Sequence, residues 1–197
     1  MMSRLLEDNN AWKDYIDEYK VTQDVSLLSE WQPHNCGKLN IKIDSSGAWY
    51  FNETIIVRKK MVALFSSILV LEGLKYSLVT PIEKIEIEVE DVPFLIIDYH
   101  FFYNKNSQKN ELFFLTNIGN IILVNDALKT FLFCSIKRKE QNLYIEIRNG
   151  LLAKLSRNVF YALIELSELV EVGDLLAWVV KNNGVDLMLG IEKKYPF

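Results

Sequence analysis

The sequence has little cysteine, proline and glycine. Its 197 residues include 2 Cys, 4 Pro and 8 Gly. Two distant cysteines do not make a disulfide framework, and a chain of this length can bury a core that needs none. The scarcity of proline and glycine, without any low-complexity stretch, excludes a long flexible linker. We therefore interpret the thiols as reduced and the protein as cytoplasmic.

Histidine is equally scarce, so the candidates for metal binding are His34, Cys36, His100 and Cys134. Only the first two are close in sequence, whereas a tetrahedral zinc site needs four ligands and usually shows two short pairs. As a nucleophile, Cys36 would need His34 or His100 within hydrogen-bond reach, and a half-buried loop thiol is the commoner arrangement. The sequence predicts no metal, no cofactor and no catalytic residue.

Charge and hydropathy limit the partners. The formal net charge of -4 argues against nucleic acid, because phosphate binding depends on Lys and Arg. The one basic cluster, Lys137–Lys139, lies between two predicted strands and is typical of a solvated hairpin tip. The longest apolar stretch, Met61–Leu71, is about half of what spans a bilayer, and Met1–Asn10 lacks the apolar segment of a signal peptide. We expect neither nucleic acid nor membrane as a partner.

One order of elements is predicted twice: an alternating strand, a glycine, an arginine, an amphipathic helix and another strand. The first copy is marked by Leu39–Ile43, Gly47, Arg58 and Tyr76–Val79, and the second by Leu143–Ile147, Gly150, Arg157 and Leu175–Val179. Apolar stripes at helical spacing predict long helices over Ile55–Leu71 and Lys154–Glu171. We interpret the repeat as an old duplication.

Between the two helices the pattern is that of β-hairpins. Ile85, Ile87 and Val89 alternate with glutamates, and Phe94–Tyr103 is a long apolar strand. These patterns predict an α+β fold with mostly antiparallel, bent sheets and two related strand–helix–strand modules. We divide the chain into a helical arm at residues 1–28, a first module at 29–82 and a hairpin-rich second module at 83–197.

The two arginines at the predicted helix starts are candidate ligand-binding residues. Arg58 and Arg157 each offer a planar, bidentate donor to a carboxylate or phosphate. A cation at a helix N-terminus opposes the macrodipole by roughly a few tenths of a kcal/mol, so a compensating anion is expected. That anion is either an internal acid, such as Asp44 or Asp91, or an external ligand.

A second set of candidates brackets the strand that begins near residue 84. Thr80, Glu83, Lys84 and Asp91 include the carboxylates and the amine that acid–base catalysis would need. However, eight extended residues separate Glu83 from Asp91, or roughly 26 Å at about 3.3 Å per residue. Strand-end caps and surface salt bridges are the simpler interpretation, and a small hydrolase that uses Glu83, Lys84, Asp91 or Cys36 is the alternative.

An aromatic cluster surrounds the first glycine turn. Trp31, Trp49 and Tyr50 can line a ligand groove or plug the end of a sheet, since aromatic side chains suit both roles. Pockets commonly form where two modules meet. We therefore expect any binding site between the two repeats, with Trp49 among its residues.

Several short motifs resemble a bacterial family known only as domain of unknown function 1285. The resemblance rests on Trp31-Gln-Pro33, Cys36-Gly37, Asp44, Gly47-Ala-Trp49-Tyr50, Ile56-Val-Arg58, Leu64-Phe65, Thr80-Pro-Ile-Glu-Lys84 and Val89-Glu-Asp-Val-Pro-Phe94, then more loosely on Thr116-Asn117, Gly119, Arg157, Phe160 and Tyr161. It implies a two-part α+β fold with repeated motifs and a role in ligand sensing or signalling, without an established reaction, cofactor or catalytic residue. The sequence departs from the family's pattern at Val92, where a small residue is usual, and in the arm before Trp31.

Together these observations predict a non-enzymatic, cytoplasmic regulatory or ligand-binding module, with a role in signal transduction. Its partner is a small anionic ligand or another protein, bound between the repeats. A structural homodimer is a further alternative, because the long strand at Phe94–Phe102 has an apolar face or edge that a second copy could cover.

Overall fold

The computed structural model describes residues 33, 35–105, 108–125, 128, 130–135, 140–182 and 185–193. Within these ranges it does not describe the side chains of residues 35, 36, 131–135, 140 and 141. The predicted helical arm at residues 1–28 and the basic tip Lys137–Lys139 lie outside the described residues.

The first part of the described chain, which we call the first unit, forms one sheet with one helix. Its elements are β1 (Asn35–Ile43), β2 (Trp49–Phe51), β3 (Thr54–Ile55), α1 (Lys59–Ser67), β4 (Leu69–Glu72), β5 (Lys75–Val79) and β6 (Lys84–Val89). The strand order is β3-β2-β1-β6-β5-β4. Neighbouring strands are antiparallel except β1 and β6, which pair in parallel and so join the first hairpin to the later strands.

The middle strands and the second unit follow. The middle strands are β7 (Phe94–Asn104), β8 (Lys109–Thr116), β9 (Ile121–Leu123) and β10 (Thr130–Ser135); the second unit consists of β11 (Glu140–Arg148), β12 (Leu151–Leu155), α2 (Arg157–Leu166), β13 (Glu168–Val172), β14 (Leu175–Val180) and β15 (Leu187–Lys193). A second sheet has the order β10-β11-β12-β7-β8-β9, with β12 and β7 parallel, and β13-β14-β15 form a separate sheet.

The prediction of an α+β fold with two long helices is wrong. The described chain is mostly strand, and its two helices have 9 and 10 residues. Leu69 and Leu169 lie in β4 and β13 rather than in the helices. A short apolar run fits either period, and here pairing with the next strand outweighs the helical pattern. Gly73, which follows the first predicted helix, lies in the hairpin turn between β4 and β5, with φ of +62°.

The predicted strands of the hairpin region are confirmed. The alternating segment forms β6, and the long apolar segment forms β7, which lies between β12 and β8 in the second sheet. A tight turn at residues 117–120 connects β8 to β9, as its Asn and Gly residues predict. Asn149 and Gly150, with φ of +45° and +79°, form the turn between β11 and β12, because a two-residue turn of this kind needs positive φ at both positions.

The two units share an order of elements: a hairpin, a helix and a three-stranded meander. The correspondence extends to the register of the first hairpin in each meander. Leu69 pairs with Leu78 in the first unit, and Leu169 pairs with Trp178 in the second, each one hundred positions further along the chain. Gly173 repeats Gly73 with the same φ of +62°. The duplication that the sequence suggested stays a prediction about origin, whereas the shared order is structural.

One core joins the two six-stranded sheets and α2. Its largest fully buried side chains come from both units and from the middle strands: Trp49, Phe94, Phe114, Ile43, Leu69, Ile96, Leu112, Ile121, Leu143, Ile145 and Leu151. A buried amide adds a polar link, since Asn182 accepts from the Leu112 backbone N–H at 2.9 Å and donates to the Val124 carbonyl at 2.8 Å. The grooves described next lie against this core, because the buried side chains of Trp49 and Leu143 also line them.

Candidate functional site

A groove lies where the first unit meets the middle strands, and we call it the seam groove. Its volume is about 370 Å³, within the range of about 300–1,000 Å³ that is usual for small-molecule sites. The lining is mostly apolar and comes from residues 47–49, 55–57, 59, 62, 97 and 115–119. Lys59 is the charged side chain among the described lining residues.

The turn at one edge of the seam groove is fixed by Asp44. Its carboxylate accepts hydrogen bonds from the backbone N–H groups of Ser46 and Ala48, at 2.8 and 3.0 Å, and from the Tyr50 hydroxyl at 3.1 Å. Partial burial opposes ionisation, but the bonds from Ser46, Ala48 and Tyr50 lower the pKa of the Asp44 carboxyl. Asp44 therefore stabilises the turn and is not offered to a ligand.

Gly47 allows this turn to approach the middle strands closely. It has φ of +78°, and a Cβ at this position would lie 2.5 Å from Nδ2 of Asn117. Nδ2 of Asn117 donates to the Gly47 carbonyl at 3.0 Å, while its Oδ1 accepts from the Leu95 backbone N–H at 3.1 Å. The Asn117 amide thus ties the first unit to β7 at the edge of the groove.

Trp49 lines the seam groove from inside the core. Its side chain is 1% exposed and packs on Phe65, with ring centroids 6.1 Å apart. Within the described residues its indole N–H has no hydrogen-bond acceptor. A buried donor without a partner costs about 1–3 kcal/mol, and most native structures satisfy such groups. The indole N–H is therefore a buried donor without an acceptor among the described residues, in a side chain that lines the groove.

The N-terminal end of α1 is positively charged. Arg58 is the N-cap residue and makes no side-chain capping bond, and the first turn contains Lys59 and Lys60 but no acid. Free backbone N–H groups and the helix macrodipole attract an anion to such an end. Lys59 lines the groove, whereas Arg58 is exposed and does not belong to its lining. The predicted role of Arg58 as a ligand residue stays a prediction.

A second groove lies within the second unit, and we call it the Arg157 groove. Its volume is about 470 Å³. Its lining comes from β11, β12, α2, β14 and β15: Asn142, Leu143, Leu155, Arg157, Phe160, Tyr161, Ile164, Trp178, Gly190, Ile191 and Glu192. Arg157 is the first residue of α2 and follows Ser156, whose hydroxyl caps the helix by accepting from the Val159 N–H at 3.4 Å. The two predicted arginines thus occupy different positions at their helix starts.

Asp91 belongs to a polar cluster that connects the first unit with the second. Its carboxylate accepts from the Tyr144 hydroxyl at 3.1 Å and from Nζ of Lys154 at 3.0 Å. Burial, followed by the negative charge of Asp91, raises the pKa of the Tyr144 hydroxyl to about 12. Nearby, the half-buried guanidinium of Arg148 donates to the Ser66 carbonyl at the end of α1. The cluster holds the two units together and leaves Asp91 engaged by Tyr144 and Lys154.

The remaining predicted site residues are engaged locally. The Thr80 hydroxyl accepts from the Glu83 backbone N–H at 3.0 Å, and the Thr80 N–H donates to the Glu83 carbonyl at 2.8 Å, which closes the turn before β6. Lys84 forms a salt bridge with Glu72 on β4. Neither of the two described grooves is lined by Thr80, Glu83, Lys84 or Asp91, and Trp49 and Arg157 line different grooves.

The cysteines and histidines give no assembled site in the part of the chain that can be described. His34 and the side chains of Cys36 and Cys134 lie outside it. His100 lies in β7 and packs on Phe102, with ring centroids 4.5 Å apart, and burial lowers its pKa. Among the described residues, His, Cys, Asp and Glu side chains nowhere cluster in the number that a metal ion needs.

Sequence reasoning missed several residues at these sites. Lys59, which lines the seam groove, is adjacent in sequence to the predicted residue Arg58. Asn117, which binds the Gly47 carbonyl, entered the sequence analysis only through the family resemblance. Tyr144 and Lys154 were not singled out, because their contact with Asp91 joins positions more than fifty residues apart. The adjacent lysines at the start of α1 were the one local signal that could have indicated Lys59.

The fold and its grooves define a mostly-β protein in two parts that meet at a groove. Comparison with known proteins shows that the chain belongs to the DUF1285 family. The family's N-terminal domain, a domain of unknown function, matches residues 27–92, and its C-terminal domain matches residues 93–189. The resemblance inferred from the sequence is thus confirmed. The predicted division at 29–82 and 83–197 stays a prediction.

Two crystal structures of DUF1285 family proteins are similar to the chain. The protein from Silicibacter pomeroyi DSS-3 is 29% identical, with a TM-score of 0.72 over 87% of this chain and 92% of that one. The protein from Shewanella baltica OS155 is 27% identical, with a TM-score of 0.50 over 64% of this chain and 91% of that one. No curated protein matches the chain. Neither described helix is long and apolar enough to cross a membrane.

Proposed function

We propose that the protein is a non-enzymatic regulatory module that binds a small anionic molecule in the seam groove. The observation that carries the proposal is the lining: apolar walls from both parts of the chain beside a helix start that holds Lys59 and has no side-chain cap. The indole N–H of Trp49, which has no acceptor within the described part of the chain, adds a buried donor. A molecule with an apolar body and one phosphate or carboxylate suits this lining, because the apolar part is buried and the charge meets the helix end.

A regulatory role follows from where the groove lies. A ligand in the seam groove contacts α1 and the β1–β2 turn on one side and the β8–β9 turn on the other. It therefore adds contacts between the two family domains. A ligand that binds only the folded state stabilises that state by mass action. The stabilisation is largest for conformations in which the two parts that the ligand contacts stay together. Ligand concentration can in this way set how firmly the two parts are joined. The cytoplasmic location and the signalling role belong to this proposal.

The test uses small probes that share a six-carbon chain and differ in the head group and its charge. Calorimetric titration of the full chain with hexyl phosphate, hexanoate, hexanol and hexylamine separates the apolar contribution from the anionic one. We expect the two anions to bind and to raise the melting temperature, and hexanol and hexylamine to bind at least about tenfold more weakly, since a charge-assisted hydrogen bond contributes roughly 1.5–3 kcal/mol. Equal binding of all four probes, or no binding of the anions, would contradict the proposal.

Substitutions at the N-terminal end of α1 test where the anionic group of the ligand binds. Lys59→Gln should weaken hexyl phosphate binding about tenfold, by the same charge-assisted interaction. Lys38→Gln removes an equal charge from an exposed position on β1 outside the groove, so it is the matched control and should leave the affinity within about twofold. Arg58→Gln compares the residue predicted from the sequence with the one that lines the groove. If Arg58→Gln weakens binding more than Lys59→Gln does, the anion is not where we place it.

A homodimer is the second candidate, and the apolar surface that favours it is not the one predicted from the sequence. The strand that suggested it, β7, lies between β12 and β8 rather than at the edge of the sheet. Apolar side chains at the rim of the seam groove now favour it, since Val57 is 78% exposed and Ile55 and Ile97 are about half exposed. Light scattering should then show a dimer that Val57→Asp dissociates. A monomer at high concentration would exclude this candidate.

A further inference from the structure

The Arg157 groove arises where the second unit departs from the first. In the first unit, Leu78 on β5 pairs with Ile85 on β6, and Ile87 lies two residues further along the same face of β6. Leu78 and Ile87 are buried in the core. The corresponding positions in the second unit are Trp178, Gly190 and Glu192, by the same ladder pairs on β14 and β15. A face that fills the core in one unit therefore carries an indole, a glycine and a carboxylate in the other.

The two units also differ in how the last strand of the meander pairs with the first strand of the unit. In the first unit β6 pairs with β1, so the meander and the first hairpin form one sheet. In the second unit β15 contacts β11, but among the described residues the two strands belong to separate sheets. The groove is lined from both sides of this junction, by Asn142 and Leu143 on β11 and by residues 190–192 on β15. The first unit shows that the fold can close this junction, and the second unit leaves it open.

The side chains around the opening combine two opposite charges with an apolar wall. Arg157 and Glu192 both line the groove, together with the aromatic side chains of Phe160 and Tyr161 on α2 and Trp178 on β14. Tyr161 is 62% exposed, so part of this aromatic surface faces solvent. Gly190 stands directly opposite Trp178 in the ladder and has no side chain to cover the indole. A guanidinium recognises a carboxylate, while aromatic faces and a carboxylate recognise an ammonium group.

From this arrangement we infer that the Arg157 groove binds a free amino acid with an apolar side chain. The ligand's carboxylate lies against Arg157, and its ammonium group lies against Glu192 and the aromatic surface. Its side chain packs on the apolar residues Leu143, Phe160 and Ile164. The groove, at about 470 Å³, has room for such a molecule. This second site is independent of the seam groove, and it gives the regulatory module an input of different chemistry.

The test removes one charge of the ligand at a time. The full chain is titrated calorimetrically with L-phenylalanine, with 3-phenylpropionate, which lacks the ammonium group, and with phenethylamine, which lacks the carboxylate. N-acetyl-phenylalanine amide, which lacks both charges, represents a residue inside a peptide. We expect L-phenylalanine to bind at least about tenfold more tightly than any of the other three, as expected when two charged contacts are made together. Equal affinity for all four compounds, or no binding of L-phenylalanine or L-leucine, would overturn the inference.

Two substitutions assign the charges. Arg157→Gln should weaken L-phenylalanine and 3-phenylpropionate about tenfold and leave phenethylamine unchanged, whereas Glu192→Gln should weaken L-phenylalanine and phenethylamine and leave 3-phenylpropionate unchanged. Urea unfolding of each variant separates a loss of the site from a loss of the fold. Lys59→Gln, which acts on the seam groove, should not change amino acid binding. If Arg157→Gln and Glu192→Gln weaken all compounds to the same extent, the two side chains do not bind separate charged groups of the ligand, and the inference fails.

Discussion

The two units use the same turn and hairpin geometry but close differently. In both meanders the first two strands are joined by a two-residue turn whose glycine has φ of +62°. Leu69 pairs with Leu78 in the first meander, and Leu169 pairs with Trp178, one hundred positions further along the chain, in the second. The first unit continues into a ladder between β6 and β1, while β15 of the second unit remains in a separate sheet. The difference teaches that short-range turn chemistry reproduces a hairpin, whereas closure of a sheet depends on whether strands distant in the chain pair.

The largest expected effect contrasts the two tryptophans that the structure describes, one in each unit. Trp49 is 1% exposed in the closed part of the core, whereas Trp178 is only half-buried in the open groove. Trp49→Ala should lower the free energy of unfolding by about 3–5 kcal/mol, because it leaves a cavity among fully buried side chains. Trp178→Ala should lower it by only about 1–2 kcal/mol, since less apolar area returns to water. Urea unfolding of both variants measures the difference, and similar losses would show that the two environments are equally closed.

A smaller effect tests the polar cluster through which the units contact each other. The Tyr144 hydroxyl has an ordinary pKa of 10.0 when unfolded and a pKa of about 12 when folded, because burial and Asp91 oppose its ionisation. The folded state therefore keeps a proton that the unfolded state releases. The corresponding stability is at most about 3 kcal/mol for a shift of about two units, because solvent screens part of the charge; it is fully present below pH 10 and is lost as the pH rises to about 12.

The measurement compares the wild type with Tyr144→Phe. The free energy of unfolding, followed in urea between pH 9 and 12, should fall more steeply for the wild type than for the variant. The variant retains every lysine, so the difference between the two curves isolates the phenol. Parallel curves would mean that Tyr144 is not held protonated by its surroundings.

The smallest effect tests the equivalence of the two hairpins. Gly73→Ala and Gly173→Ala place a Cβ on a backbone with positive φ, which costs about 1–2 kcal/mol, and at neither position would the added atom meet another within 4 Å. We therefore expect equal losses in unfolding free energy, measured by urea unfolding under identical conditions. Losses that differ by more than about 1 kcal/mol would show that the two turns carry different strain.

How much the sequence predicted depended on the range of the interaction. The alternation of Ile85, Ile87 and Val89 with glutamates predicted β6 correctly, since a strand with one buried face needs that period. The helices were predicted too long, because apolar runs at Leu69 and Leu169 fit both periods and pairing with the next strand decided between them. Among the candidate site residues, Trp49 and Arg157 line grooves, whereas Thr80, Glu83, Lys84 and Asp91 are engaged in local or inter-unit contacts.

The sequence by itself determined the turns, most strands and the family, because each of these depends on residues close together in the chain. The tertiary structure alone decided which residues meet across long separations: Asn117 with Gly47, Asp91 with Tyr144 and Lys154, and the side chains around each groove. The reason is that a hairpin turn is selected by its own φ and ψ preferences, whereas a groove is the space left after distant strands have packed. No local pattern encodes that space.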